Sequence, residues 1–224
     1  MTINGIKRRF QKMGKKATPF FQWFRDIPYR IRRYYNRKKI KSRDFTIVSN
    51  NCWAGKVYQY LDMPYLSPTV GLYFFADDYL KFVSNLKHYI SLDLSFIPAD
   101  RSKYYSVLIK KDQTAKPIGL LDDVEIVFLH YKTEHEAKEK WTRRKERINW
   151  EHLIVKFSNM NLCTEEHMKQ FNDLPYEKKI LLNNRKRTIY PCEIYWKEKK
   201  TGNSEIALDT IPFPGNLKLS KVIK

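Results

Sequence analysis

Glycine is scarce in this chain, with 7 glycines among 224 residues. The phosphate-binding loops of nucleotide enzymes need glycine at fixed spacing, because their backbone turns tightly and approaches the phosphates closely. The sequence contains no Walker loop and no GxGxxG or GxSxG pattern. It therefore argues against an NTPase and against a nicotinamide-dependent enzyme.

Cysteine is also sparse and is not arranged for metal binding or for disulfide bonds. Cys52, Cys163 and Cys192 make an odd count without a CxxC pair. His130 and His135 have no cysteine near them in the sequence, so no metal is expected. Because no signal-peptide pattern precedes them, these cysteines indicate a protein of the reducing cytoplasm.

Long apolar runs are missing as well. The longest, such as residues 70–76 and 126–129, fall far short of the roughly 20 residues that cross a bilayer. The sequence therefore predicts no membrane-spanning segment.

Acidic residues are few and unevenly distributed. The chain has 43 Lys and Arg against 24 Asp and Glu, a formal net charge of +19. Residues 1–43 hold 15 of the basic residues and one acid, Asp26, so +14 of the charge lies there and +5 on residues 44–224. This division predicts a basic extension, residues 1–43, and a single domain, residues 44–224. It disfavours nucleic acid as a partner, since a nucleic-acid footprint would spread over the domain.

The basic extension also has an amphipathic pattern. Between residues 19 and 41, aromatic and aliphatic residues recur near a 3.6-residue period while arginines occupy the other faces, and Pro28 would kink the helix. One interpretation is a helix that lies on the anionic inner face of a membrane. The other is a helix packed on its own domain or on a second subunit.

Residues 44–61 predict a strand, a polar turn and a helix. β-favouring residues are followed by Asn50, Asn51 and Cys52, and a helical pattern begins near Gly55. In an open α/β sheet, the ligand site lies at the carboxyl ends of such strands. Cys52 is therefore a candidate nucleophile or ligand contact; the alternative is that the asparagines form a turn and Cys52 is a small buried hydrophobe.

The rest of the domain alternates strands with helices. Residues 124–130, 151–157 and 179–183 are predicted strands, and residues 134–148 and 164–174 are predicted helices. Residues 104–110 and 117–121 are predicted to pair as a hairpin. The alternation predicts an α/β fold with an open, mostly parallel, Rossmann-like three-layer sheet, preceded by the basic amphipathic helical extension.

A thiol–imidazole pair could carry the chemistry. Cys52 and His130 both follow predicted strands, so His130 could activate the thiol while Asn51 donates to a developing oxyanion. Arg144 and Arg147 could hold a phosphate by bidentate contacts, with further substrate contacts from residues near the two strand ends: Asn50, Trp53, Gly55 and Lys132. The alternatives are a solvated histidine and a solvated helix face.

Four blocks in this order, SNNCWAGKVYQYL, YLSPTVGLYF, FLHYKTEHEAKEKWTRRKERIN and HLIVKFSN, resemble a bacterial family of unknown function commonly labelled exopolysaccharide biosynthesis protein. The resemblance covers most of residues 44–190 and implies a role in making or decorating a surface polysaccharide. More remotely, the Asn-Asn-Cys turn is similar to the Gly-Asn-Cys turn of capsule-biosynthesis acyltransferase-like proteins and to the Gly-Asp-Ser turn of SGNH hydrolases. Here Asn50 replaces the glycine, and the Asp-x-x-His pair of the hydrolases is absent near the C-terminus.

The leading hypothesis is a cytoplasmic transferase at the inner membrane surface that acts on a sugar, a nucleotide sugar or a lipid-linked glycan. It would move an acyl group from a donor such as acyl-CoA. A non-catalytic glycan-binding or assembly module and a glycosyltransferase are the alternatives.

Overall fold

The computed structural model describes residues 31, 33–35, 37–40, 42–186, 188–196, 205–209, 219 and 223. The chain divides into two units, residues 1–41 and 42–224. In the first unit, the described residues between 31 and 39 are helical, and Lys38 Nζ lies 4.7 Å from the ring centroid of Tyr34. Residues 19–30 of the predicted amphipathic segment lie outside the described residues, so the extension stays a prediction.

A parallel sheet forms the larger layer of the second unit. Its four described strands are β1 (Thr46–Ser49), β5 (Leu153–Ser158), β6 (Lys178–Asn183) and β7 (Glu193–Tyr195), in the order β1-β5-β6-β7. All three pairings are parallel. Every residue of β1 is buried, as in a strand covered on both faces, and its two polar residues, Thr46 and Ser49, use their hydroxyl groups in internal hydrogen bonds. The predicted mostly parallel α/β fold is confirmed at this level.

The helices begin at sequence signals that are recognisable in the chain. The Thr164 side chain accepts a hydrogen bond from the backbone N–H of His167, and the His167 side chain accepts one from the backbone N–H of Thr164. This is a reciprocal capping arrangement. The Thr133 hydroxyl caps the long helix by accepting a hydrogen bond from Glu136 N, without the reciprocal bond. The helices are α1 (Trp53–Leu61), α2 (Ala76–Ser84), α3 (Leu86–Ser91), α4 (Tyr105–Lys110), α5 (Glu134–Lys145) and α6 (Glu165–Asp173), with a 3₁₀ turn at Ala99–Arg101.

A second, antiparallel sheet corrects the prediction for residues 124–130. Strand β4 ends at Val127 and pairs with β3 (Ile118–Leu121), which pairs with β2 (Ser95–Ile97). The stretch looked like a central parallel strand because both of its faces are covered. Val124 and Ile126 belong to the main core, whereas Val127 belongs to a separate apolar cluster.

The predicted hairpin between residues 104–110 and 117–121 is wrong. Residues 105–110 form helix α4. Leu108 within it and Tyr104, the residue before its first turn, are four positions apart and are both buried. The β-branched residues of this stretch favoured a strand, but burial follows the helical spacing. The hairpin that does form joins β3 to β4 through Asp122, which adopts a positive φ of 55°.

A short connecting segment, residues 70–74, links the two sheets. Tyr73 forms a β-bridge with Val127 of the antiparallel sheet, while Phe74 N donates to Asn50 O, 3.0 Å away, at the end of β1. His130 N donates to Gly71 O at 2.9 Å. The loop after β4 is therefore held beside the turn after β1, although the two strands belong to different sheets.

Within the described residues, no helix combines the length and apolarity that crossing a membrane requires.

Candidate functional site

Asn50 joins the carboxyl ends of two parallel strands. Its side-chain amide donates to Ser158 O at 3.0 Å and accepts from Ser158 N at 3.0 Å. The residue is fully buried. Since both ends of the amide are used between strands, Asn50 serves the architecture and has no free group for a substrate.

Asn51 is committed to internal contacts in the same way. Its Nδ2 donates to Asp209 Oδ2 at 2.9 Å and to Met160 Sδ at 3.1 Å, which uses both amide hydrogens. Its Oδ1 accepts from the backbone N–H of Trp53 at 3.1 Å, at the start of α1. The predicted oxyanion donor is therefore occupied in this arrangement, and its contacts favour a role in fixing the turn.

A buried ion pair lies beneath this turn. Lys156 Nζ and Asp209 Oδ2 form a direct pair, and Asp209 also accepts from Ser158 Oγ. Lys156 and Asp209 are 0% and 1% exposed, and Lys156 also donates to Asn51 Oδ1 at 3.1 Å. Burial lowers the pKa of Lys156, and Asp209 partly offsets this; the pKa of Asp209 is lowered because Lys156 and its hydrogen bonds outweigh the effect of burial.

A pocket of about 280 Å³ opens beside the turn. Its walls come from α1, from the connecting segment, from the loop after β4 and from α5. No Asp or Glu is among the described residues that line it. The chemically active side chains in the lining are Cys52, Lys56, His130, Tyr131, Lys140 and Arg144.

The Cys52 thiol faces this pocket as a neutral group. Its Sγ donates to Leu72 O at 3.6 Å, and no hydrogen bond joins it to His130 among the described residues. Burial, with a contribution from Asp209, raises the pKa of Cys52 to about 11, although Lys56 and Lys156 act in the opposite sense. The thiol is therefore protonated at neutral pH.

His130 lines the same pocket and is itself exposed. Partial burial, together with Lys56 and Lys116, lowers its pKa below the ordinary 6.5. The imidazole is therefore neutral at pH 7 and can accept a proton.

Arg144 is held by contacts with three other residues of the pocket. Its Nη1 donates to Val70 O at 3.2 Å and to the Tyr131 hydroxyl at 2.5 Å, and the guanidinium lies 4.8 Å from the ring centroid of Tyr65. Tyr131 in turn donates to Val70 O. The last turn of α5 is thereby anchored to the connecting segment.

Two glycines let these elements approach each other. A Cβ added to Gly55 would meet Val70 Cγ1 at 2.9 Å, and one added to Gly71 would meet Tyr131 Cε2 at 3.0 Å. Gly71 also has a φ of +79°, which disfavours any other residue. Gly55 therefore contributes to the pocket by allowing close packing of α1 on the connecting segment.

Besides Asn50, three predicted substrate contacts do not line the pocket. Trp53 is fully buried, with Lys156 Nζ 5.6 Å from the centroid of its ring. Lys132 is exposed, and its backbone N–H donates to Glu136 Oε2 at 3.1 Å. Arg147 Nη1 donates to Tyr65 O at 3.3 Å on the outer side. Of the predicted site residues, the structure brings together Cys52, Gly55, His130 and Arg144.

Sequence reasoning missed Lys56, Tyr131 and Lys140. Two of these follow from helical spacing, because Lys56 lies four residues after Cys52 and Lys140 four residues before Arg144. Tyr131 directly follows the histidine that was singled out. Asp209 could not have been found, since nothing in its local sequence ties it to Lys156.

Two further findings concern other places in the described residues where a ligand or a metal ion could bind. A larger groove, about 650 Å³, lies at the amino ends of β5 and β6, the opposite edge of the sheet from Cys52. The described residues contain no cluster of three or more His, Cys, Asp or Glu side chains that could hold a metal ion.

The fold and the pocket define an α/β protein with a small polar pocket at the carboxyl edge of a parallel sheet. Residues 26–211 match the model of a family described as a domain of unknown function, DUF1919, and the chain belongs to that family. It is also similar to an uncharacterised protein of Haemophilus influenzae, with 28% identity over 182 residues that cover 80% of this chain and 82% of the relative.

The buried ion pair predicts a large loss of stability when one partner is removed. Lys156→Met leaves the Asp209 charge uncompensated, so we expect the free energy of unfolding to fall by about 3–5 kcal/mol in urea denaturation. Arg143→Met, which breaks the exposed pair with Glu139, is the control and should cost at most about 1 kcal/mol. Adding Asp209→Asn to Lys156→Met should recover part of the loss. Equal losses for Lys156→Met and Arg143→Met would refute the structural role of the pair.

The raised pKa of Cys52 predicts slow alkylation at neutral pH. In protein carrying Cys163→Ser and Cys192→Ser, the rate of reaction with iodoacetamide should rise without a plateau up to about pH 10, because the thiolate is the nucleophile. Mass spectrometry measures the rate, and the same protein in urea is the control, with an expected midpoint near about pH 8.5. A midpoint at or below that value in the folded protein would contradict the prediction.

Proposed function

We propose that this protein is a transferase of surface-polysaccharide synthesis that moves an acyl group onto a sugar-containing acceptor in the Cys52 pocket. The observation that carries the proposal is the pocket itself, which gathers a neutral imidazole, a neutral thiol and several cations at the carboxyl ends of the strands. That edge is where open α/β sheets bind their ligands. The resemblance to exopolysaccharide biosynthesis proteins supplies the substrate class, and the parallel sheet would act as a Rossmann-like three-layer core.

The proposed reaction is direct transfer from an acyl thioester such as acyl-CoA. His130 takes the proton from an acceptor hydroxyl, and the oxygen forms a bond to the thioester carbonyl carbon. The carbon–sulfur bond then breaks, and the departing thiolate receives the proton from His130. Cys52, protonated at neutral pH, acts as an acceptor contact in this scheme, because a thiol with a pKa of about 11 is a poor nucleophile.

The second candidate function is a glycan-binding or assembly module without catalysis. The raised pKa of Cys52 and the lack of a hydrogen bond between Cys52 and His130 among the described residues favour it over a mechanism in which the thiol is the nucleophile. The pocket would then bind its ligand in the same place but would release it unchanged. A glycosyltransferase has no specific observation in its favour.

A deletion strain tests the transfer reaction. Wild-type protein should restore acylation of the surface polysaccharide, measured by NMR of the purified polymer. His130→Gln should lower the transfer rate by about 10²-fold or more, since it removes the general base. The matched control is His135→Gln, an exposed histidine on α5 outside the pocket. Unchanged acylation in the deletion strain would remove the reaction and leave the binding module.

Cys52→Ala tests the role of the thiol in the same strain. Direct transfer predicts that this variant keeps most of the acylation. Capture of a labelled acyl group on wild-type protein but not on Cys52→Ala would instead assign the thiol as nucleophile.

The lowered pKa of His130 predicts the pH dependence of the reaction. The base must be neutral, so activity should persist below pH 6.5 and decline as the pH falls through the lowered pKa. Lys56→Gln removes one of the charges that lowers this pKa and should move the acid limb of the kcat/KM profile to higher pH. An acid limb that does not move would contradict the assignment of His130.

We propose further that the protein works in the cytoplasm, with residues 1–43 holding it at the inner face of the membrane. The net charge of +14 on those residues would attract anionic lipids, each basic residue adding on the order of 1 kcal/mol. Full-length protein should therefore sediment with vesicles containing phosphatidylserine, and protein lacking residues 1–43 should not. Phosphatidylcholine vesicles are the control. Equal sedimentation of both forms would remove this role.

A further inference from the structure

Arg144 is a buried cation without a buried anion. The residue is 7% exposed, and it lines the pocket from the last turn of α5. Among the described residues, no carboxylate lies within salt-bridge distance of its guanidinium, although other cations of α5, such as Lys140 and Arg143, do have acidic partners. Burial of a charge is costly unless an opposite charge compensates it.

The contacts that Arg144 does make are with neutral groups. Nη1 donates to Val70 O and to the Tyr131 hydroxyl, and the guanidinium carbon lies 4.8 Å from the centroid of the Tyr65 ring. These contacts fix the plane of the group without neutralising it. Nε and Nη2 donate to none of the described residues, so their hydrogens are available to a ligand in the pocket that Arg144 lines.

The other charges of the pocket have the same sign. Lys56 lines it with no acidic partner among the described residues, and Lys140 lies 5.5 Å from the centroid of the Tyr131 ring. Glu136, which pairs with Lys140, is outside the lining. The lining thus carries three cations and no carboxylate, which is the charge pattern that attracts an anion.

We infer that this pocket binds the phosphate or diphosphate group of the substrate, with Arg144 as the bidentate contact and Lys56 and Lys140 as flanking cations. A planar guanidinium with free donors matches two oxygens of one phosphate, and the contacts of Arg144 with Val70, Tyr131 and Tyr65 lower the entropy cost of ordering it. The assignment of this phosphate to a sugar substrate rests on the proposed function; the binding of the anion does not.

The size of the pocket narrows the ligand further. At about 280 Å³, it falls just below the range of about 300–1,000 Å³ that is typical of pockets for whole small molecules. It therefore suits the charged end of a larger substrate, with the rest outside. Nucleoside diphosphates and polyprenyl diphosphates share this chemistry.

Calorimetric titration of the full-length protein tests the inference with three probes: inorganic pyrophosphate, uridine diphosphate and geranyl diphosphate. We expect pyrophosphate to bind and Lys140→Gln to weaken it by about tenfold or more, since a charge-assisted contact is lost. The matched control is Lys138→Gln, an exposed lysine on the same helix outside the pocket, which should bind like wild type. Arg144→Lys keeps the charge but loses the planar fork, and should also weaken binding.

Each outcome decides the inference. Tighter binding of uridine diphosphate than of pyrophosphate supports it with a nucleotide source, and tighter binding of geranyl diphosphate supports it with a lipid source. Failure of all three probes to bind would overturn it, as would equal affinities for Lys140→Gln and Lys138→Gln. Diphosphate binding without acyl transfer would support the anion site and contradict the proposed reaction. Acyl transfer without diphosphate binding would support the reaction and contradict the anion site.

Discussion

The buried pair of Lys156 and Asp209 is the interaction on which the geometry of the site depends. A charge in the interior must be compensated by an opposite charge and by hydrogen bonds, and the ones that Asp209 receives all converge on Oδ2, while Oδ1 has no partner among the described residues. Asp209 accepts hydrogen bonds from the side chains of Lys156, Ser158 and Asn51. Asn51 in turn accepts a hydrogen bond from the backbone N–H of Trp53, the first residue of α1. The direction in which α1 leaves the sheet is set by this chain of contacts. Cys52 occupies the turn between them and has little freedom of its own.

The pocket exists because two sheets meet there. Cys52 follows a strand of the parallel sheet, and His130 follows a strand of the antiparallel one. The connecting segment, residues 70–74, bonds to both, and Arg144 fastens α5 to the same segment through Val70 and Tyr131. Four separate parts of the chain therefore converge on one short stretch of backbone. The stretch can be contacted so closely because Gly55 and Gly71 lack side chains.

Local patterns in the sequence predicted the elements but not their partners. The strand, turn and helix around Cys52 and the capped helix after Thr164 were readable because each is specified within a few neighbouring residues. The direction of β4 was not readable, because an apolar strand covered on both faces has the same composition in either kind of sheet. Nothing in the local sequence marks Lys156 as half of a buried ion pair, since its partner lies 53 residues away. Contacts over such distances leave no periodicity to detect.

The pocket divides its tasks between charged and neutral groups. His130 and Cys52 are both neutral at pH 7, one because its pKa is lowered and the other because its pKa is raised, and burial is the main cause in each case. The cations of the lining are Lys56, Lys140 and Arg144, and Arg144 is almost fully buried. An anion bound by Arg144 would lie beside an imidazole whose pKa it raises, because a negative charge stabilises the protonated form. Occupancy of the pocket would thus strengthen the basicity of His130 at the moment when a substrate is present. Lys56, which lines the pocket and lowers the pKa of His130, would then be compensated by the bound anion. Anion binding and proton transfer would in that way be coupled within a single cavity.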